Sequence, residues 1–386
     1  MNKRRLCLLL TGLLLLILCG CAADPDGASP ADSPQTADRD SLCGLAYRST
    51  LPLTYANQFS VDYYEEGYKL ISISDGRKYL LIPEGHDAPD GLDSSICRIK
   101  MPVENIYLAA SAAMALFDAV DGLDAIRLSG TRAEGWAIEN AAAAMEAGDI
   151  LYAGKYSEPD YEMLIEEKCG LAIESTMILH SPKVQEMIEL LGVPVLIERS
   201  SYESHPLGRT EWIKLYGALL DKEDEAEAFF RKQEAIIDEM AQFENTEKTV
   251  AFFYISTDGS AVVRSSNDYV PKMIELAGGR YIFEELGSEE SRRSSVSITM
   301  EEFYNAAVDA DYLIYNTDID STLDSLDDLL AKSDLFADFK AVQNDNVWYT
   351  GKQFYQATDI VGSFITDIHL MLEDETEGMT FLTKLE

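Results

Sequence analysis

Residues 211–243 read EWIKLYGALLDKEDEAEAFFRKQEAIIDEMAQF. Glu211–Leu220 has the composition of one helix. Asp221 stands where an N-cap is expected, and the run from Glu223 to Phe243 contains neither Pro nor Gly. Within it Ala226, Phe229, Phe230, Ile236, Ile237 and Met240 recur at helical spacing. The texture on both sides is different, so this stretch reads as a single long helix joining two separate units.

Upstream, Ile106–Leu108, Ala125–Leu128, Gly170–Ile173 and Pro194–Ile197 are short apolar strands. They alternate with helical runs at Ser111–Phe117, Trp136–Met145 and Pro182–Leu191. Downstream, strands at Val250–Ile255, Ala261–Val263, Asp311–Tyr315 and Val347–Tyr349 alternate with helices at Tyr269–Leu276, Met300–Ala307 and Ile360–Leu372. Strands alternating with helices predict βα units around a mainly parallel sheet. The fold class is therefore α/β, with two Rossmann-like lobes joined by one long α-helix and a cleft between them. Composition places the first lobe at 46–209, the bridging helix at 210–245 and the second lobe at 246–386. Within 59–82 a β-hairpin is expected around Asp75-Gly76.

The chain opens with Lys3, Arg4 and Arg5, then an apolar run from Leu6 to Leu18, then Leu18-Cys19-Gly20-Cys21. This is the layout of a secretory signal peptide over residues 1–20, and a run of about 13 apolar residues is too short to span a bilayer. The Leu-x-Gly-Cys end resembles a bacterial lipobox, which makes Cys21 the lipidated first residue of the mature protein. Residues 21–45, rich in Pro, Ser, Asp and Gly, read as a flexible tether. The expected location is extracytoplasmic, with the protein held at the cell membrane by its acyl chains.

At 386 residues the chain is too long for one ordinary core, and a 47% hydrophobic content is globular. A formal charge of −37 excludes nucleic acid as a partner and argues against direct adhesion to anionic lipid. Beyond Cys7, Cys19 and Cys21, three cysteines remain (Cys43, Cys97 and Cys169), at spacings that match no zinc pattern.

Motifs for nucleotide binding, serine hydrolysis or zinc proteolysis are absent, and no nucleophile–base pair stands out, so no enzyme is expected. Only four histidines occur, of which His180 and His205 fall in loops after strands. Aromatic and basic residues are more telling. Trp136, Tyr152, Tyr156 and Tyr202 fall in loops of the first lobe. Tyr254, Arg264, Tyr269, Trp348 and Tyr355 fall at strand ends or loops of the second. Ligands of open α/β sheets bind beyond the carboxyl ends of the strands, and aromatic rings with a polar tip suit bulky, partly apolar ligands. Arginines are scarce on this acidic chain, so Arg132, Arg199, Arg209, Arg264, Arg292 and Arg293 are candidates for gripping a carboxylate. In the segment 202–212 (YESHPLGRTEW), Tyr202 and Arg209 are expected to face ligand and Thr210 to cap the helix that follows.

Several half-motifs resemble one family. Pro159-Asp160-Tyr161-Glu162 precedes an apolar strand from Gly170, although Cys169-Gly170 replaces the usual Pro-Asp. Ala277-Gly278-Gly279 follows a helix, and Thr299-Met300-Glu301-Glu302-Phe303 precedes the strand at Asp311. In this order, over residues 104–372, they resemble the substrate-binding lipoproteins of ABC importers for iron chelates, haem and cobalamin. The resemblance implies a monomeric receptor without a cofactor, whose ligand is a metal chelate and whose partner is the importer's permease. It implies that Glu162 on the first lobe, and Glu301 or its neighbour Glu302 on the second, dock onto permease arginines. The alternative is a receptor of the same importer class for a bare zinc or manganese ion.

Overall fold

The computed structural model describes residues 41–240, 242–287, 294–351 and 353–386. The expected signal peptide, the expected lipid site at Cys21, most of the expected tether, Arg292 and Arg293 lie outside the described residues.

A six-stranded sheet comes first: β1 (Ser41–Leu42), β2 (Leu45–Thr50), β3 (Phe59–Tyr64), β4 (Lys69–Ile73), β5 (Lys78–Ile82) and β6 (Ile96–Lys100), in that spatial order. It is antiparallel except between β5 and β6. The expected hairpin is its centre, with Gly76 supplying the positive φ of the Asp-Gly turn. Pairing already begins at Ser41, because Cys43 and Gly44 both adopt positive φ and close a tight turn. Strand pairing is therefore present within the segment 21–45 assigned to the tether.

The first lobe proper is a parallel sheet of β7 (Ile106–Leu108), β8 (Ile126–Ser129), β9 (Leu151–Tyr152), β10 (Leu171–Ser175) and β11 (Val195–Glu198), ordered β11-β10-β7-β8-β9. Helices α1 (Ser111–Ala119), α2 (Glu139–Ala147), α3 (Tyr161–Glu166) and α4 (Pro182–Leu190) cover it. Strand alternation divides the core. Ile106, Leu108, Leu171 and Ile173 join Met114 and Phe117 of α1 in the main cluster, whereas Tyr107, Leu128, Ala172 and Ile197 join Leu164 of α3 and Ile188 of α4 in a second. One face thus carries α1 and α2, the other α3 and α4.

The connection to the second lobe is three helices rather than one: α5 (Pro206–Glu211), α6 (Ile213–Leu220) and α7 (Glu223–Met240). Asp221 is not an N-cap. It takes a left-handed conformation (φ 55°, ψ 38°) and ends α6. In a straight helix Gly217 and Ala226 would be about 13 Å apart, but a Cβ on Gly217 would meet that of Ala226 at 2.7 Å. Helix α7 therefore turns back on α6, and only glycine fits the contact. Helix α7, about 27 Å long, runs on to the second lobe and packs against its last helix.

The second lobe is a seven-stranded sheet of β12 (Thr249–Ile255), β13 (Ala261–Arg264), β14 (Arg280–Tyr281), β15 (Ser295–Ile298), β16 (Tyr312–Tyr315), β17 (Val347–Thr350) and β18 (Leu382–Lys384). Its parallel centre is β12-β16-β17. Around it lie α8 (Tyr269–Leu276), α9 (Met300–Ala307), α10 (Leu326–Lys332), α11 (Lys340–Gln343) and α12 (Val361–Leu372). All residues of β11 and β16 are buried, as expected of strands covered on both faces.

The first sheet is bolted to the connection. Buried Glu211 accepts the backbone N–H groups of Thr54, Tyr55 and Ala56 at 2.8–3.1 Å. Buried Glu203 accepts those of Asn57 and Gln58, and the Trp212 indole N–H at 3.0 Å. Lys69 of β4 donates to Ala218 O at 2.8 Å and to Asp221 and Glu223 at 2.6 Å each, at the turn between α6 and α7.

Candidate ligand-binding cleft

The carboxyl ends of the parallel strands in the two lobes approach each other where the loop after β17 meets the loop after β8. There Gln356 clasps the first lobe: its side-chain amide accepts from Ala137 N and donates to Gly135 O, both at 2.8 Å. A second tie joins α5 to the second lobe, Thr210 Oγ1 donating to Thr358 O at 2.8 Å. Thr210 therefore does not cap; His205 does, its Nδ1 accepting Leu207 N–H.

On the first-lobe side, exposed Arg132 follows β8 and holds its guanidinium 4.1 Å from the ring of Tyr152, which ends β9. Trp136 is nearly buried against the main core next to the Gln356 clasp. Tyr156 packs against the second cluster. Arg199 lies 4.4 Å over Tyr202, but its guanidinium is buried and turned toward Asp75 of the first sheet, 4.0 Å away.

On the second-lobe side, Arg264 ends β13 and forms a bidentate pair with Asp268 at 2.8 and 2.7 Å. Its third nitrogen donates to the Tyr355 hydroxyl at 3.3 Å, and Asn316, directly after β16, donates to the same oxygen at 2.8 Å. With two donors already on that oxygen, the phenolic proton is left to donate to a further acceptor. Burial, offset by Arg264, pushes the Tyr355 hydroxyl up to about 12, so it stays protonated. Asp318 accepts the Tyr355 backbone N–H at 2.8 Å, and burial pushes its carboxyl up to about 6. Tyr254 is half-buried on β12.

Other expected site residues sit elsewhere. Trp348 is 3% exposed within the main core, so it is a packing residue. Tyr269 is also buried, sandwiched by Arg209 at 4.0 Å and Arg264 at 5.4 Å. Arg209 is buried at the α5–α8 joint rather than facing ligand, beside a cavity of about 10 Å³ shared with Tyr269 and Thr358. The pairing of Arg264 with Asp268 had no signal in the sequence, because Arg264 ends a strand and a four-residue charge spacing pairs side chains only along a helix. Asn316 and Gln356 had none.

His180 is exposed at the end of the turn after β10, while His205 stacks on Tyr55 with ring centroids 4.5 Å apart. Burial pushes the His205 imidazole down to about 4, leaving it neutral. Among the described residues no three His, Cys, Asp or Glu side chains are grouped so that they could hold a metal ion. Cys43, Cys97 and Cys169 are free thiols.

Glu162 and Glu301 occupy equivalent places, the second helical residue of α3 and of α9, and both are exposed. Glu302 is occupied in a capping box, accepting Thr299 N–H at 2.8 Å and the Thr299 hydroxyl at 2.9 Å. Glu174, near the end of β10, is fully buried beside Tyr107, Tyr161 and Cys169, and neither of its oxygens has a partner. Burial pushes its carboxyl up to about 8.

Known proteins share this arrangement. The sequence model of the periplasmic binding protein family matches residues 130–354. Two uncharacterized lipoproteins of Methanocaldococcus jannaschii are 26% and 25% identical over 334 and 340 residues, covering 79% and 84% of this chain and 77% and 83% of theirs. Among solved structures, the petrobactin-binding protein of Bacillus subtilis aligns with a TM-score of 0.60 at 15% identity, covering 80% of this chain and 100% of its own. A periplasmic haem-binding protein of Vibrio cholerae aligns at 0.55 and 16%, covering 68% and 98%. An Fe³⁺-hydroxamate transport protein of Saccharomonospora viridis aligns at 0.53 and 18%, covering 70% and 93%. These likenesses carry the two-lobed fold. With the family model spanning more than half of the sequence, the chain belongs to the periplasmic binding protein family, a family of solute-binding proteins.

Proposed function

We propose that this protein is an extracytoplasmic lipoprotein that captures a metal chelate (ferric siderophore, haem or corrinoid) and delivers it to the permease of an ABC importer. The observation that carries the reading is the pair of arginine–tyrosine groups on opposing lobes. Arg132 with Tyr152 offers a cation over a ring. Arg264, neutralised by Asp268, positions Tyr355, whose O–H is left to donate. Flat, partly apolar ligands bearing anionic oxygens fit that chemistry. The Glu162 and Glu301 carboxylates, one per lobe at matching helix positions, support a two-point docking onto a basic permease surface. Cys21 carries the lipid in this reading, and the receptor acts as a monomer.

The test is thermal unfolding of the protein with haem, cobalamin, ferric siderophores, Zn²⁺ and Mn²⁺, since a ligand that binds only the native state raises the midpoint. A rise with one chelate supports the reading and names the cargo. A rise with a bare ion alone, or with nothing, counts against it.

A further inference from the structure

Arg209 is buried at the α5–α8 joint, where a charge is costly unless it is paired. Its Nε has no partner, and among the described residues no carboxylate lies within ion-pair distance of its guanidinium. What it has instead is the ring of Tyr269, 4.0 Å away. Guanidinium groups stack on aromatic faces, and such contacts are strongest where water is excluded. The charge also acts on Glu198, the buried carboxylate that ends β11, whose value burial raises and Arg209 helps to lower.

Tyr269 is buried too and its hydroxyl has no partner, so its ring face, not its O–H, is the surface in use. The guanidinium of Arg264 lies over the same ring at 5.4 Å. Tyr269 follows Asp268, the N-cap of α8, whose carboxylate takes both Nε and Nη2 of Arg264 and also accepts Val270 N–H at 3.1 Å. Two successive residues, one carboxylate and one ring, thus hold Arg264. The nitrogen left over, Nη1, is the one that reaches the Tyr355 hydroxyl at 3.3 Å. That contact is already long for an N–H···O bond, so a shift of about half an ångström in the guanidinium ends it. At the other end of the chain of contacts, Arg209 is fixed by its neighbours on α5. Thr210 donates to Thr358 O, and Glu211 holds the loop at Thr54–Ala56. We infer that Arg209 and Tyr269 are positioning residues. Stacked on one another, they fix the Arg264 guanidinium and through it the Tyr355 hydroxyl, so the segment joining the lobes sets the geometry of a ligand-binding group. The inference rests on the ligand contact proposed above for Tyr355.

The test places a fluorinated tyrosine at position 355 of the full-length protein and reads it by fluorine NMR with no chelate added. Arg209→Lys keeps the charge near Glu198 and loses the planar group, while Tyr269→Leu keeps bulk and loses the ring. The two are made separately, so a variant that fails to fold leaves the other to decide. Each should move or broaden the resonance of position 355. Each should also weaken binding about three- to tenfold in calorimetry, using whichever of haem, cyanocobalamin and ferric desferrioxamine raises the unfolding midpoint. In a Tyr355→Phe background the same substitutions should leave the Kd unchanged, because a role exerted through that hydroxyl has nothing left to act on. Equal weakening in both backgrounds marks a merely structural loss and overturns the inference. A resonance that stays at its wild-type position in the folded variants overturns it as well. A moved resonance with a Kd that Tyr355→Phe does not alter overturns the ligand contact and leaves the positioning of the hydroxyl standing. Binding of none of the three chelates counts against the proposed capture function, and the resonance then decides the positioning by itself.

Discussion

Replacing Glu174 with Gln should stabilise the protein, and by an amount that grows with pH. The carboxyl is fully buried near the end of β10, neither oxygen has a partner, and its value is pushed from 4.5 to about 8. The folded state therefore keeps a proton that the unfolded chain releases, and stability falls as pH rises from 4.5 towards 8, levelling off above. Holding that proton costs ~0.8 kcal/mol at pH 5 and ~3.3 kcal/mol at pH 7, a difference of ~2.5 kcal/mol. Glu174→Gln removes the ionisable group and keeps the shape, so the variant-minus-wild-type stability should rise by about that difference between pH 5 and pH 7. His205, depressed to about 4, works in the opposite sense, with stability lost as pH falls below 6.5. Asp318 works in the same sense as Glu174. Both contributions are common to the two proteins and cancel in the difference. Urea unfolding of wild type and variant at pH 5, 6, 7 and 8 reads it directly. A difference that stays flat across this range would refute the reasoning, because it would mean that Glu174 ionises as freely in the folded protein as in the unfolded chain.

Three further outcomes are expected. Tyr355→Phe removes the O–H donor and should weaken binding of the chelate identified by the thermal panel about three- to tenfold, with little change in the ligand-free Tm; an unchanged Kd in calorimetry would count against the role of this hydroxyl. Gln356→Ala deletes both bonds to the first lobe, so spin labels placed one on each lobe should report a longer and broader ligand-free distance distribution, whereas an unaltered distribution would show that the clasp does not hold the lobes. Glu211→Gln turns an amide N–H toward a ring of backbone donors and should cost ~2–4 kcal/mol in urea unfolding, while a loss below about 1 kcal/mol would mean that the loop at Thr54–Ala56 finds other partners.

Much of the fold was legible because its signals are local. Helices α8 and α9 match their predicted spans, since Gly278 follows the first and Thr299 caps the second. The connection was misread for a physical reason: apolar spacing is the same in one long helix and in two helices folded together. The discriminating features were a left-handed Asp221 and a Gly217 that must be small, and neither shows in periodicity. The first sheet was seen only as its central hairpin, because β2 and β6 carry Arg48, Arg98 and Lys100 among their apolar residues. For the site, scarcity of basic residues pointed to Arg132 and Arg264, which lie beside Tyr152 and Tyr355. It also pointed to Arg209, which the structure buries at a helix joint. Trp348 and Tyr269 show the same limit: a ring at a strand end or helix start faces core or cleft according to packing that the sequence does not encode locally.

The ties between the first sheet and the connecting helices have a practical consequence for anyone cloning this protein. Residues 130–354, the span matched by the family model, look like a natural expression unit. A chain cut there would lose Thr54–Gln58 and Lys69 while keeping Glu203 and Glu211. Two carboxylates would stay buried after losing five backbone donors, and the turn at Asp221 and Glu223 would lose its ammonium. Insoluble protein is the expected product. Expression boundaries, deletion alleles and chimeras that exchange lobes between relatives should therefore begin no later than Ser41.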